Sequence, residues 1–213
     1  MRRVLAAPFL LAAFAGLAVD PPPADAQVKP DPEAFNTADG VRLKGLFHKS
    51  PNGSKQGDAV VLLLYPPMTP GGQERSMLKG DWDGLIGKLN DAGFHVFRFD
   101  WRGHGESTDI TDPLGDSTPY NGFWVNQITG GWNRQFVRGA NRKPVKNDIR
   151  VKTDVTSGGY FPIYVNDLAA ARLHLDMKND LSQVNTSSIY LVGAGDTATL
   201  GMLWLTADWN RPG

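Results

Sequence analysis

The chain contains no cysteine, which excludes disulfide staples, cysteine-based zinc sites and a lipid anchor through a thiol. Neither sign of charge is in excess: 22 basic and 22 acidic residues give a formal net charge of zero, so the balance points to neither nucleic acid nor an anionic membrane surface. No phosphate loop or metal-ligand spacing occurs, and Gly193-Ala194-Gly195 lacks the third glycine of a dinucleotide fingerprint. No cofactor is expected. Histidine is scarce as well, and His48, His95, His104 and His174 all precede the stretch Ser188–Trp209. The apolar run Val4–Val19 is short for a membrane span.

What is present begins with a leader. Arg2 and Arg3 precede that apolar run, and Pro21–Pro23 and Ala24-Asp25-Ala26 follow it. A positive start, an apolar middle and an Ala-x-Ala end make a secretory signal peptide over residues 1–26, with a mature start at Gln27 and a periplasmic or extracellular destination. Left uncleaved, the same segment would anchor the chain to the membrane. Residues 27–33, with two prolines, read as a linker. With 213 residues and 41% hydrophobic content, the remaining 34–213 suffices for one domain with a substantial core.

Along that domain, Asp39-Gly40 between two extended segments predicts a hairpin over Ala34–His48. Ala59–Tyr65 is a continuous apolar run of the kind found in interior strands, and Pro66–Gly72 must be a shaped loop. Trp82, Leu85, Ile86 and Leu89 recur at helical spacing, with Asp81 as a candidate cap, and Phe94–Phe99 is the next strand. Strand, helix, strand at this spacing implies a crossover and a parallel sheet. Residues 108–160 are rich in Asn, Gly, Asp and Thr and carry the exposed-looking aromatics Tyr120, Phe123, Trp124, Trp132 and Phe136. Such a segment is either a lid over a site or a decoration packed by its own aromatics. A helix capped by Asn166 or Asp167, with Leu168, Ala171 and Leu175 on one face, leads to the apolar strand Ile189–Val192. A small-residue turn and a helix from Ala198 complete the pattern.

The strand, turn and helix of Ser188–Trp209 resemble the nucleophile elbow of the α/β-hydrolase family, whose pattern is small-x-nucleophile-x-small. A second resemblance lies at Asp100-Trp101-Arg102-Gly103-His104-Gly105-Glu106-Ser107, since a strand ending in D-x-R-G-x-G-x-S is frequent in that family before the elbow. The resemblance implies an α/β fold: a mostly parallel doubly wound sheet with an N-terminal β-hairpin, lacking the last strands. Residues 108–160 would be a cap-like or loop insertion.

Carried over residue by residue, Gly193 and Thr197 take the flanking elbow positions and Gly195 falls on the nucleophile position, leaving it vacant. The oxyanion donors implied are the backbone N–H of Asp196 and one from the loop after Ala59–Tyr65. Pro67 has no N–H there, and a one-residue shift makes Met68 the candidate. A one-residue shift of the elbow instead makes Asp196 the nucleophile, as in dehalogenases and epoxide hydrolases; its alternative role is to cap the following helix. His104 lies nearest the carboxyl edge of the sheet and is the best-placed base, or else a residue kept for the turn. Asp100 and Arg102 are a substrate-binding pair or, more commonly for such neighbours, a turn lock.

The function expected is that of an exported hydrolase-like protein without a working nucleophile, binding a small ester-like molecule. The rival is an ester, amide or carbon–halogen hydrolase using Asp196 and His104, with the rest of its site missing or supplied elsewhere. If the sheet stops at the elbow strand, its apolar outer edge calls for a covering partner or a continuation of the gene.

Overall fold

The computed structural model describes residues 29–51, 59–68, 72–76, 82–112, 121–125, 131–138, 147–155 and 158–209. The predicted signal peptide, the cap Asp81 and Tyr120 lie outside these residues, as does the side chain of Trp132. No helix among the described residues is long and apolar enough to cross a membrane.

Strands β1 (Asp31–Asn36), β2 (Val41–His48), β3 (Ala59–Leu64), β4 (His95–Phe99) and β6 (Asn185–Gly193) form a mixed sheet in the order β1-β2-β4-β3-β6, and the two-residue β5 (Asp109–Ile110) pairs with β2. β1 and β2 are antiparallel with Asn36 opposite Arg42, so the predicted hairpin is present with Thr37–Gly40 as its loop. β2 meets β4 antiparallel, while β4, β3 and β6 run parallel to one another. β1 begins within the predicted linker, which is a correction: Asp31, Pro32 and Glu33 belong to the sheet. An edge strand tolerates Pro32 because only one of its sides is hydrogen-bonded.

Helix α1 (Asp83–Asp91) returns the chain from β3 to β4. Residues 108–160 contain the short helices α2 (Asn121–Val125), α3 (Gly131–Phe136) and α4 (Val151–Asp154). A 3₁₀ helix (Gly158–Tyr164) then leads into α5 (Val165–Asp180), and α6 (Asp196–Trp209) follows β6.

β3 reads AVVLLL because both its faces are covered. On one face Val61, Leu63 and Val96 pack on Ile86 of α1. On the other, Leu62, Leu64, Phe97 and Phe99 pack against Leu168, Ala171 and Leu175 of α5 and Leu200 and Trp204 of α6. Helices on both faces make this a doubly wound α/β sheet.

The aromatics of the insertion behave differently from their expected exposure. Phe123 and Trp124 are completely buried and Phe136 packs against the same core. Phe123 and Trp124 meet edge to face with ring centroids 4.9 Å apart. Neither Asn166 nor Asp167 caps α5: the helix begins at Val165, and Asp167 sits buried in its first turn.

At the far edge, β6 pairs only with β3 among the described residues. Tyr190 on β6 is half exposed, as is Leu203 on α6, whereas Leu200 and Trp204 are covered.

Candidate functional site

The parallel strands β4, β3 and β6 deliver their carboxyl ends to one side of the sheet. The chain leaves β3 towards β4 and later returns to β3's other side as β6. This reversal opens a crevice between the loops that follow, where ligands bind in open α/β sheets. A cavity of about 730 Å³ lies there. Met68 comes from the loop after β3, His104 from the turn after β4, and Gly195 and Asp196 from the turn after β6. The opposite wall includes Lys152 of α4 and Tyr164 of the 3₁₀ helix.

Side-chain hydrogen bonds hold these loops. The Trp101 indole N–H donates to the Tyr65 carbonyl at 2.8 Å, tying the end of β4 to the end of β3. Thr197 Oγ1 donates to the Leu64 and Ala194 carbonyls, tying the elbow to β3. Arg75 N–H donates to the Pro67 carbonyl at 2.8 Å, and Met68 bridges to Glu74, so the proline loop folds back on itself.

In the turn after β4, Asp100 Oδ2 accepts the Glu106 N–H at 2.9 Å and the Ser76 hydroxyl at 3.1 Å. Ser107 Oγ accepts the Lys44 N–H at 2.8 Å. The motif residues Asp100 and Ser107 therefore lock the turn rather than reach the cavity.

Arg102 turns away from the cavity and is fully buried. Its Nη1 lies 2.6 Å from Asp39 Oδ2 and its Nε 2.7 Å from Asp167 Oδ1. Asp39 also accepts from Thr37 Oγ1 (2.7 Å) and Asn133 Nδ2 (2.9 Å), and Asn133 Oδ1 accepts from the Tyr160 hydroxyl (2.9 Å). Burial works against charge on Asp39, yet the Arg102 guanidinium holds its carboxyl below the usual range. Burial pushes Asp167 up to about 6 against the pull of the same arginine. Arg102 is thus the hub joining the hairpin loop, the turn, α3 and α5. The expected pairing with Asp100 gives way to these partners.

At the elbow, Gly195 has φ +59°, and a Cβ built on it would meet nothing within 4 Å. Glycine adopts this left-handed conformation without strain, whereas the family's nucleophile is held there under strain. A Cβ on Gly193 would lie 3.0 Å from the backbone of Ala198, which is why strand and helix need a small residue at their closest approach. Asp196 is the first residue of α6, exposed at the rim of the cavity. The helix begins there, two residues before the predicted Ala198.

His104 and Tyr164 form the polar part of the wall. His104 Nε2 lies 3.0 Å from the Tyr164 hydroxyl, and Nδ1 lies 3.7 Å from Glu74 Oε1. Burial lowers the imidazole to about 4, with Glu74 opposing, and burial raises the Tyr164 phenol. The His104 ring thus lies between the Tyr164 hydroxyl and the Glu74 carboxylate.

The structure brings Met68, His104, Gly195 and Asp196 to one cavity. His48 ends β2, His95 lies in β4, and His174 in α5 stacks on Phe35 with ring centroids 4.9 Å apart. Sequence reasoning missed Arg75, Lys152, Phe161 and Tyr164, which line the same cavity. The cluster Tyr160-Phe161-Pro162-Ile163-Tyr164, three aromatics around a proline just before an apolar-faced helix, was the one signal that could have extended the insertion beyond residue 160.

No family model and no curated protein matches the chain. Solved structures do. A brefeldin A esterase, described as a bacterial homologue of human hormone-sensitive lipase, is 15% identical with a TM-score of 0.53 over 92% of this chain and 39% of its own. A hypothetical protein from Pseudomonas aeruginosa is 17% identical with a TM-score of 0.50 over 88% of this chain and 41% of its own. The chain thus spans about two fifths of the length of these structures. Their likeness, together with the strand order and the glycine-apexed turn between β6 and α6, establishes that this chain has the α/β-hydrolase fold in a divergent form.

Proposed function

We propose that the protein is an exported, hydrolase-derived binding protein that takes a small, largely apolar ester-like molecule into its cavity and does not hydrolyse it. One observation carries this reading: the apex of the elbow opens on the cavity, has room for a side chain and is glycine. Nucleophilic catalysis needs an oxygen or sulfur at that point. What is left is a cleft with apolar walls and a few polar groups, in the size range of small-molecule sites.

The test pairs turnover with binding on the mature protein. With p-nitrophenyl butyrate, release of nitrophenol is expected to match a heat-denatured control, and a fluorophosphonate probe is expected to leave no adduct. Non-hydrolysable amide analogues should change tryptophan fluorescence saturably, because Trp101 forms part of the cavity wall. Turnover that a single substitution abolishes would overturn the reading.

The rival, Asp196 as nucleophile, is favoured by one fact: Asp196 and His104 line the same cavity. Against it stand the position of Asp196 beyond the apex and the engagement of His104 with Tyr164. An aspartyl ester recovered from substrate at Asp196, and absent in D196N, would establish the rival. For export, the N-terminus of the secreted protein is expected at Gln27. An intact leader found in the membrane fraction would instead mean anchoring.

A further inference from the structure

The two outer strands of the described sheet are built differently. β1 carries Pro32 and the carboxylates of Asp31 and Glu33, with Lys49 Nζ 2.7 Å from Asp31. Proline and charge at an edge discourage another strand from pairing there. β6 has neither, since no proline and no charged residue occurs from Asn185 to Gly195. Its ladder with β3 is irregular at the start, where Ala59 faces Asn185 but Val60 faces Ile189, and regular from Ile189 to Gly193. The Thr186 and Ser187 N–H groups donate to the side chains of Asn179 and Asn185. Outward pairing is thus left to the stretch from Ser188 to Gly193.

That stretch is apolar on both faces of the sheet. Tyr190 is 52% exposed, and its ring meets Phe94 edge to face with centroids 5.7 Å apart, on the side covered by α1. Ile189 and Leu191 point to the other side, beneath α6. This helix lies over β3 and β6: a Cβ on Gly201 would stand 3.0 Å from Leu64 and 3.7 Å from Leu191. It leaves Met202, Leu203 and Leu205 exposed, and its two charges, Asp196 and Asp208, lie near its ends.

An uncharged apolar edge fits a copy of itself. Twofold association needs a patch that is complementary to itself, and a neutral strand sets no like charges against each other. A charged partner would find nothing on the strand to pair with. In an antiparallel pair, residues directly opposite each other share a face of the sheet. With Tyr190 opposite Tyr190 of the copy, Ile189 meets Leu191 and Ser188 meets Val192. Centring the pair on Ile189 instead would set Ser187 against Leu191 and Ser188 against Tyr190. The first register matches more apolar surface.

We infer that the protein is a twofold dimer joined edge to edge through β6, with Tyr190 at the axis. The sheet then runs on from one copy into the other. Because the axis stands perpendicular to the sheet, both α6 helices come to lie on the same face, with their exposed leucines. The dimer does not depend on what the cavity holds.

Sedimentation of the mature protein is expected to give twice the monomer mass, falling to the monomer on dilution. Y190K and Y190E, which set like charges across the axis, should each weaken association about tenfold. Their equimolar mixture should recover it, which a misfolded variant could not do. The chain has no cysteine, so Y190C places its one thiol at the axis. Mild oxidation should join two copies of Y190C through a disulfide, whereas L173C, 62% exposed on α5, should stay unlinked. A parent protein that remains monomeric at every concentration, or association that Y190K leaves unchanged, would overturn the assignment. So would a dimer in which Y190C cross-links no faster than L173C.

Discussion

Replacing Arg102 with methionine is expected to cost about 3–5 kcal/mol, the usual penalty for removing one partner of a buried ion pair. The side chain and both its carboxylate partners are almost completely buried, with Asp39 at 2% and Asp167 at 0% exposure. Without the guanidinium, two carboxylates would remain in an apolar interior with, among the described residues, Thr37 Oγ1, Asn133 Nδ2 and the Arg102 backbone N–H to solvate them. For a domain stable by about 5–15 kcal/mol, that is a large share of the total. R102K should lie in between, because an ammonium cannot bridge both carboxylates with a planar fork.

The triple variant R102M/D39N/D167N separates charge from packing. It should regain much of the loss, since buried ion pairs exchanged for neutral groups are often nearly neutral in stability. Urea unfolding monitored by tryptophan fluorescence measures all three. An R102M variant within about 1 kcal/mol of the parent would mean that the cluster contributes no more than a surface pair. Binding in the cavity should change little in R102K, because the guanidinium points away from it.

The second large effect is acid sensitivity. Burial lowers both His48 and His104 to about 4 in the folded chain, whereas an unfolded histidine titrates near 6.5. As the pH falls from 6.5, the unfolded chain takes up two protons that the folded chain refuses. Stability should therefore drop by about 1.4 kcal/mol per pH unit for each histidine until about pH 4. Asp167 works in the opposite direction. Its folded value of about 6 lies above the unfolded value, so between pH 6 and 4 the folded chain gains a proton there first. The net loss is expected to be about 3–4 kcal/mol across that window.

His48 offers the cleaner variant, because its Nε2 is buried with no hydrogen-bond partner among the described residues. H48L should reduce the slope by about 1.4 kcal/mol per pH unit and hold its stability at pH 7. Urea midpoints at pH 7, 6, 5 and 4.5 give the slopes. An H48L slope equal to that of the parent would show that His48 charges freely in the fold.

The parts of the fold readable from the chain are those with a local cause. The apolar run of β3, the helical spacing in α1 and α5 and the Asp39-Gly40 loop each declare themselves within a few residues. So does the strand, small turn and helix at Ser188–Trp209. Gly195 at the apex of that turn was legible for the same reason, because a tight turn needs small residues wherever the chain goes next. The D-x-R-G-x-G-x-S segment could be placed at a strand end, but the partners of its arginine could not. They lie 63 and 65 residues away, and a pairing at that distance leaves no periodicity or spacing to find.

The insertion marks the same boundary. Its composition left a lid and a decoration packed by its own aromatics equally open, and only the packed structure shows Phe123 and Trp124 buried, because burial depends on which surfaces meet and not on neighbouring residue types. The sequence therefore determined the sheet's central strands, the turn and the glycine at its apex. Tertiary contact alone decided that Met68, His104, Lys152, Tyr164 and Asp196 share one cavity, since only the folding of distant loops around the strand ends brings their side chains within reach of a single ligand.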